Sequence, residues 1–340
     1  MRDNTSFSCL IVGAGMAGLT AARRLRAAGL HVMVIDKGRG VGGRMATRRL
    51  AVDDGAIAAC DHGAQFFTVR DARFEGIVRE WIAAGVAREW ARGFADPAGH
   101  AREDGHPRYC GVGGMNTIAR HLAGGLEVRV GEQVVELAHD ERQWQAKTKD
   151  GDGEERSFAA DALILTPPVP QSLALLATGN ARLPAAARDK LEALRYDPCI
   201  AVLAALDAPS GLPFPGAMQI NHDPIQWLAD NQRKGASDLP TVTIHATPSF
   251  SLANWDAPLE TTGDALLQAA APWLGARAIA MQVHRWRYSQ PVALHPDPCL
   301  FLAEPAPVLF AGDAFGGPRV EGAVLSGLAA AEQLLHWLHR

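Results

Sequence analysis

A glycine-rich turn near the start of the chain constrains its fold more than any other feature. Gly13, Gly15 and Gly18 follow the apolar run of residues 10–12 in the spacing G-x-G-x-x-G, and a second strand-patterned run covers residues 31–35. Between the runs, apolar residues recur at helical spacing. In such a strand–turn–helix–strand unit, the glycines permit a tight turn, close approach of a pyrophosphate to the backbone, and close packing of helix on strand. The stretch therefore predicts a dinucleotide-binding unit.

An acidic residue at the end of the second run supports this interpretation. Asp36 lies 18 residues beyond Gly18. A carboxylate at this distance accepts hydrogen bonds from a ribose and disfavours a 2′-phosphate on it. The helix start at Met16 and Ala17 offers unpaired N–H groups to the phosphates. We expect these residues and the adjacent Lys37 to contact the dinucleotide.

Two further stretches suggest which dinucleotide binds. Residues 42–44 read Gly-Gly-Arg, and residues 308–313 read VLFAGD before a helix-patterned segment. The chain resembles the glutathione-reductase-type flavoproteins, in the branch that holds the monoamine and polyamine oxidases. This resemblance implies FAD, bound by residues Gly13, Gly15, Met16, Ala17, Gly18, Asp36, Lys37, Gly43, Arg44, Gly63, Ala64, Val134, Gly312, Asp313 and Val320. We expect noncovalent FAD, because no Ser-Gly-Cys precedes the last helix and Cys299 lies too far upstream.

Four longer motifs narrow the resemblance to the renalase family, in particular its bacterial members. They are DHGAQFFT at 61–68, YCGVGGM at 109–115, TPPVPQ at 166–171 and HRWRYSQP at 284–291. The resemblance implies oxidation of the 2- and 6-dihydro isomers of NAD(P)H, with hydride transfer to flavin N5 and reduction of O2 to H2O2. Loss of hydride leaves an aromatic cation, so this chemistry needs no general base. No second G-x-G-x-x-G is present for an ordinary nicotinamide site.

Length and composition bound the class of protein. A chain of 340 residues predicts about two domains. The net charge of −4 provides no basic field for nucleic acid. The five cysteines are scattered without C-x-x-C, which argues against disulfides and zinc, and we expect no metal site. No signal peptide or long apolar segment is visible, so we expect a cytoplasmic protein without a membrane partner.

The predicted fold class is α/β, with a Rossmann-like FAD-binding domain of the GR2 type and a smaller α+β substrate domain. We assign residues 1–73, 105–170 and 296–340 to the FAD domain, and 74–104 and 171–295 to the substrate domain. The patterns predict a helix over 74–90, a loop over 93–107 and a parallel-sheet strand over 162–165. A polar, irregular segment is expected up to residue 59. In the substrate domain, strands are expected over 241–246 and 281–288, and a helix over 259–274.

The candidate catalytic residue is His245, which shares a strand face with two threonines and can hydrogen-bond a substrate amide or carbonyl. His62, His222 and His284 are interpreted as structural. Candidate substrate-binding residues are Gln65, Phe66, Phe67, Tyr196, Trp286 and Tyr288. For Phe66 and Phe67 a core role is the alternative, and the resemblance favours one of them at the pocket wall. Trp286 and Tyr288 share a face and are as consistent with core packing as with stacking on a flat substrate.

Two other functions are also consistent with the sequence. A flavin amine oxidase would surround its amine with an aromatic cage and often places a lysine near the flavin. The chain has only three tyrosines, and Lys234 is the only lysine of the central second domain, in the polar stretch RKGASD. The third reading is a flavin-binding protein without turnover. We rank oxidation of a nicotinamide dinucleotide isomer first and oxidation of an amine second.

Overall fold

The computed structural model describes residues 6–52, 55–140 and 142–339. In these residues the strands are β1 (Ser6–Val12), β2 (Val32–Asp36), β3 (Thr47–Ala51), β4 (Ile57–Asp61), β5 (Ala87–Ala95), β6 (Ala101–Gly111), β7 (Glu127–Val130), β8 (Glu132–His139), β9 (Trp144–Asp150), β10 (Glu155–Leu165), β11 (Arg195–Leu206), β12 (Ala217–His222), β13 (Ile225–Asp230), β14 (Thr241–Ala246), β15 (Ala278–Ala293), β16 (Leu300–Leu302) and β17 (Val308–Phe310). The helices are α1 (Met16–Ala27), α2 (Ala72–Ala83), α3 (Asn116–Ala123), α4 (Val169–Thr178), α5 (Ala185–Glu192), α6 (Pro248–Ala253), α7 (Leu259–Leu274) and α8 (Arg319–Leu338), and Gly43–Met45 forms a 3-10 turn.

The chain divides into two compact units. The first holds the described residues of 1–43, 119–195 and 291–340, and the second holds those of 44–118 and 196–290. These bounds differ from the predicted domains, because β4 and β6 add their hydrogen bonds to the second unit and α4 packs on β8 of the first. Which segments hold the flavin stays a prediction.

A largely parallel sheet forms the first unit. Among the described residues its main path runs β16-β17-β10-β1-β2-β7, and the β8–β9 hairpin joins it through β10. β1 pairs in parallel with both β2 and β10, and its residues 9–11 are completely buried. The apolar run at 162–165 lies between β1 and β17 in parallel register, which confirms the prediction for this stretch.

A mostly antiparallel sheet forms the second unit. Its strand order in the described residues is β15-β11-β14-β13-β12-β5-β6. The apolar side chains of β11, β13 and β14 pack with those of α7 into the core of this unit. Both the strand at 241–246 and the helix at 259–274 have the predicted bounds. This sheet positions the polar cluster described below.

Three predictions in the second unit were wrong. The predicted loop at 93–107 contains most of β6, and the predicted helix at 74–90 ends at Ala83, so that Trp90 lies in β5. β6 lies at the edge of the sheet, where Pro107 costs no ladder hydrogen bond that a neighbour needs. The segment before residue 59 is not irregular, because β3 and β4 pair there as a hairpin.

Candidate functional site

The glycine-rich turn has the geometry that its spacing predicts. Gly13 has a φ of +102°, and a Cβ there would lie 2.4 Å from Thr166 Oγ1. A Cβ on Gly18 would lie 2.0 Å from the carbonyl O of Gly13, so only glycine lets α1 approach the strand this closely. A Cβ on Gly15, at the N-cap of α1, would meet no heavy atom within 4 Å. The protein therefore leaves the space before Gly15 and the α1 N-terminus open.

The carboxylate of Asp36, which follows the glycine-rich turn in the sequence, also hydrogen-bonds to it. Its Oδ2 accepts a hydrogen bond from the backbone N of Ala14 at 2.6 Å, and its Oδ1 accepts one from the backbone N of Gly38 at 2.6 Å. Each carboxylate oxygen has a second lone pair, so both can also accept from ribose hydroxyls. Lys37 beside it is exposed.

The loop after Asp36 folds back onto the turn. Gly42 donates its backbone N–H to the carbonyl O of Ala14 at 2.8 Å, and a Cβ on Gly43 would lie 3.4 Å from the Cα of Gly15. Gly42 and Gly43 have φ values of +115° and +53°, which glycine adopts without strain. The Gly-Gly loop therefore lies against the glycine-rich turn.

The carboxyl-terminal elements complete the first unit. Ala311 continues β17 next to β10, and Gly312 donates its N–H to Ser326 Oγ of α8 at 2.8 Å. Helix α8 crosses α1 so closely that a Cβ on Gly327 would lie 2.2 Å from the carbonyl O of Ala17. Asp313 and Val320 are buried beside these elements. Val134 is buried in β8, where it pairs with Thr148.

These observations fit a bound dinucleotide. The open space at Gly15, the unpaired amides at the start of α1 and the spare lone pairs of Asp36 are the three features that a Rossmann-like site needs. Gly13 and Gly18 shape the turn, and Met16 and Ala17 begin the helix whose N-terminus would face the phosphates of a bound dinucleotide. Within this unit we expect these residues, with Gly43, Gly312 and Asp313, to hold the cofactor.

In the second unit, Arg44 lies against the DHGAQ motif. Its carbonyl O accepts from the backbone N of Ala64 at 2.8 Å, and a Cβ on Gly63 would lie 2.0 Å from that oxygen. Its guanidinium donates to the carbonyl O atoms of Tyr288 and Ser289 at 3.4 and 3.2 Å. A role of Arg44, Gly63 and Ala64 in cofactor binding stays a prediction.

A polar cluster centred on His62 is the most distinctive feature of the second unit. We define the histidine cluster as His62, His245, His284, Trp286 and Arg48. The carbonyl O of His62 accepts from Trp286 Nε1 at 2.9 Å and from His245 Nε2 at 3.2 Å. The His62 ring lies 4.9 Å from the Trp286 ring and 5.0 Å from the His284 ring, centroid to centroid. β4, β14 and β15 thus bring three histidines and an indole together.

Hydrogen bonds fix the orientation of the other two rings. Nδ1 of His62 lies 2.8 Å from the carbonyl O of Ala46. Nδ1 of His284 lies 3.1 Å from Nη2 of Arg48, whose Nη1 donates to Gln282 Oε1 at 3.3 Å. Sequence reasoning interpreted His62 and His284 as structural, and their separation along the chain gave no signal that they meet.

The imidazoles of this cluster are uncharged at neutral pH. Burial lowers the pKa of His62 to about 3, with help from the nearby His284 and Arg48. Burial likewise lowers the pKa of His245 to about 4, and Lys234 adds to the effect. For His284, burial and the charge of Arg48 lower the pKa to about 4. The cluster therefore offers neutral hydrogen-bonding groups rather than cationic imidazoliums.

The two phenylalanines of the DHGAQFFT motif separate. Phe67 is buried in the core, where its ring contacts Phe74, Trp81 and Tyr109. Phe66 is half-buried between aromatic rings of β5 and β13. The core alternative therefore describes Phe67, and a role at the pocket wall stays a prediction for Phe66 alone.

A buried ion pair stands behind Gln65. Lys234, only 1% exposed, places Nζ 2.9 Å from Asp61 Oδ2 and 2.8 Å from Gln65 Oε1. Oδ1 of Asp61 accepts from Thr47 Oγ1 and from the backbone N of Met115. Sequence reasoning missed this pair because Lys234 sits in a polar stretch that reads as a solvated turn. The signal available was Asp61 itself, an acid that ends an otherwise apolar strand.

The predicted tyrosines form a pair. The rings of Tyr196 and Tyr288 lie edge to face, 5.6 Å apart with an interplanar angle of 77°. Both are half-buried. Trp286 and Tyr288 lie two residues apart on β15 and therefore share a face, as predicted.

No helix among the described residues is both long and apolar enough to cross a membrane. No group of three or more His, Cys, Asp or Glu side chains in that part of the chain is arranged to hold a metal ion.

Comparisons with known proteins place these features in a family. Residues 11–81 match the NAD(P)-binding Rossmann-like domain, and residues 79–335 match the flavin containing amine oxidoreductase family. A stretch of 59 residues is 42% identical to lysine-specific histone demethylase 1 homolog 1 of Arabidopsis thaliana. That match covers 17% of this chain and only 7% of the relative's length.

Solved structures of putrescine oxidase share the fold along the whole chain. The wild type bound to putrescine superposes with a TM-score of 0.68 at 17% identity, covering 98% of this chain and 99% of the other. A triple mutant redesigned in cofactor binding gives a TM-score of 0.70 at 16% identity, with the same coverage. Since the family match spans most of the 340 residues, the chain belongs to the flavin containing amine oxidoreductase family and is an FAD-dependent oxidoreductase.

Proposed function

We propose that this protein oxidises the 2- and 6-dihydro isomers of NAD(P)H to NAD(P)+, as members of the renalase family do. The substrate gives up a hydride, which is one proton with two electrons. O2 takes these two electrons, this proton and one further proton from solvent to form H2O2. Four motifs support the proposal, at residues 61–68, 109–115, 166–171 and 284–291. FAD, bound noncovalently, supplies the two-electron acceptor that passes the electrons on to O2.

The observation that carries the proposal is the chemistry of the histidine cluster. Its members are flat, half-buried or buried, and uncharged apart from Arg48. A dihydropyridine ring is flat and uncharged, so it can stack on Trp286 and hydrogen-bond to imidazoles without a desolvated charge. A protonated amine would instead approach the guanidinium of Arg48, which disfavours it.

The residues needed are few, because the oxidised ring becomes aromatic without transfer of a proton to the protein. We assign His245 and Trp286 to orient the substrate through the carbonyl of His62, to which both donate. Phe66, Tyr196 and Tyr288 are proposed as further contacts of the substrate. Gln65 supports these contacts without touching the substrate, since its side chain hydrogen-bonds to Lys234 and to backbone carbonyls of the DHGAQFFT motif.

Oxidation of an amine is the second candidate. Three observations favour it: the family itself, the contact between Tyr196 and Tyr288, and the buried Lys234. Against it, the two tyrosine rings are nearly perpendicular to each other, and the ammonium of Lys234 is bound by Asp61. We therefore rank it below the dihydronicotinamide.

Oxygen uptake distinguishes the two candidates. The FAD-loaded protein is mixed with the 2- or 6-dihydro isomer of NAD, with ordinary 4-dihydro NADH, or with putrescine and a simple primary amine. We expect O2 consumption and H2O2 formation in equal amounts with the 2- and 6-dihydro isomers, and neither with ordinary NADH or the amines. Turnover with an amine and none with the isomers would reverse the ranking. Heat-denatured protein with free FAD is the control for uncatalysed oxidation.

A further inference from the structure

The Nε2 atoms of two neighbouring imidazoles, His62 and His284, differ in hydrogen-bonding character. The carbonyl O of Ala46 can only accept, so His62 carries its proton on Nδ1 and keeps a lone pair on Nε2. The guanidinium of Arg48 can only donate, so Nδ1 of His284 is the acceptor and its Nε2 carries the proton. One ring therefore presents an acceptor and the other a donor.

Neither Nε2 atom is satisfied by the described part of the chain. Each of the two imidazole rings makes its one hydrogen bond there through Nδ1. The rings are 5.0 Å apart and nearly perpendicular, with an interplanar angle of 79°. Trp286 contacts both, at 4.9 and 4.3 Å between centroids. A flat ligand group on this surface meets one donor and one acceptor at once.

We propose that His62 and His284 together recognise the primary carboxamide of the dihydronicotinamide. Nε2–H of His284 donates to the carboxamide oxygen, and Nε2 of His62 accepts from the carboxamide N–H. This inference rests on the proposed function and deepens it, because it names the substrate group that the cluster reads. The Nδ1 partners Ala46 and Arg48 act as positioning groups, since they decide which ring donates.

The charge state of the rings supports this assignment. With pKa values lowered to about 3 and 4, His62 and His284 stay neutral at pH 7, so the lone pair of His62 is available. A carboxylate in place of the carboxamide offers no N–H to His62. An acetyl group keeps the oxygen for His284 but also lacks the N–H, and therefore leaves the buried acceptor unpaired.

The test compares the 6-dihydro isomer of NAD with that of 3-acetylpyridine adenine dinucleotide. For the wild type we expect kcat/KM to favour the carboxamide by roughly 10-fold or more, the cost of one unmade hydrogen bond. In His62→Asn, the amide group can still donate to Ala46 but nothing replaces Nε2. This preference should then fall to about 1, with little change for the acetyl analogue.

The matched variant is His284→Asn, in which the side-chain oxygen still accepts from Arg48. Both substrates should lose about 10-fold, and the preference for the carboxamide should remain. FAD content and thermal midpoint of each variant report whether it has folded. A wild-type preference near 1, or a preference that survives His62→Asn, would overturn the inference.

Product binding separates this inference from the proposed function and needs no variant. We expect the wild type to bind NAD+ roughly 10-fold more tightly than 3-acetylpyridine adenine dinucleotide, measured by titration calorimetry. If no dihydro isomer is oxidised but this difference is found, the proposed function fails and the carboxamide site stands. If isomers are oxidised and the two products bind equally, the carboxamide site fails and the function stands.

Discussion

Replacement of Lys234 by methionine tests the buried ion pair most sharply. The change removes the 2.9 Å ion pair with Asp61 and the 2.8 Å hydrogen bond to Gln65. It also removes the cation–π contact of Nζ with the Trp90 ring, whose centroid lies 5.3 Å away. It leaves the Asp61 carboxylate buried and without its cation. Removal of one partner of a buried pair costs about 3–5 kcal/mol, and we expect Lys234→Met to lower the free energy of unfolding by that amount.

A second substitution separates the lost charge from the lost packing. Asn in place of Asp61 removes the stranded charge while its side-chain oxygen still accepts from Thr47 and Met115. The double variant should therefore recover roughly 2 kcal/mol relative to Lys234→Met, leaving mainly the unpaired Gln65 oxygen at about 1 kcal/mol.

Urea unfolding, followed by circular dichroism at one fixed excess of FAD, measures these differences with equal ligand stabilisation in every sample. Lys190→Met, at an exposed lysine of α5, is the control and should change stability by less than about 0.5 kcal/mol. A loss below about 1 kcal/mol for Lys234→Met, or a double variant as unstable as the sum of the single ones, would refute the assignment.

Three further outcomes follow from the structure. Gly18→Ala should destabilise the protein by about 1–3 kcal/mol because its Cβ meets the carbonyl O of Gly13, whereas Gly15→Ala should leave unfolding of the apoprotein unchanged and lower the FAD retained after dialysis. Stability should fall as the pH drops from about 6.5 towards 4, by about 1.4 kcal/mol per pH unit for each histidine whose folded pKa is lowered, because the unfolded chain then binds the proton and the folded one does not. Thermal midpoints of His284→Gln should show a shallower slope in this range and those of the exposed His106→Gln an unchanged one; equal slopes would contradict the pKa assignment. Acid precipitation should leave FAD in the supernatant, and colour retained in the pellet would show a covalent bond.

The dinucleotide half of the molecule could be predicted because its signals are local. Three glycines with fixed tasks and an acid at a fixed distance specify a strand–turn–helix–strand unit, and the structure has this unit with its expected close approaches. Gly29 directly follows the C-cap residue of the first helix at a φ of +88°, where glycine is favoured. Continuous apolar runs such as 162–165 predict a central strand of a parallel sheet, because a strand buried on both faces shows no alternation of polar and apolar residues.

The histidine cluster and the ion pair could not be predicted from the sequence. His245 and His284 lie on β14 and β15, and His62 follows β4 of a separate two-stranded sheet, so only the tertiary fold brings them together and no periodicity links them. The burial of Lys234 could not be predicted, because a turn rich in charged residues is ordinarily solvated. The edge strand β6 was missed because glycine and proline favour turns, although an edge tolerates them.

Anaerobic mixing tests the central claim most directly. The FAD-loaded protein is mixed without oxygen with one equivalent of the 6-dihydro isomer of NAD, while the visible absorbance of the bound flavin is followed and the products are separated. We expect loss of the flavin band within seconds and one NAD+ per flavin, with no loss caused by putrescine or by ordinary NADH on that time scale. Rapid loss with a simple amine, and none with the isomer, would contradict it.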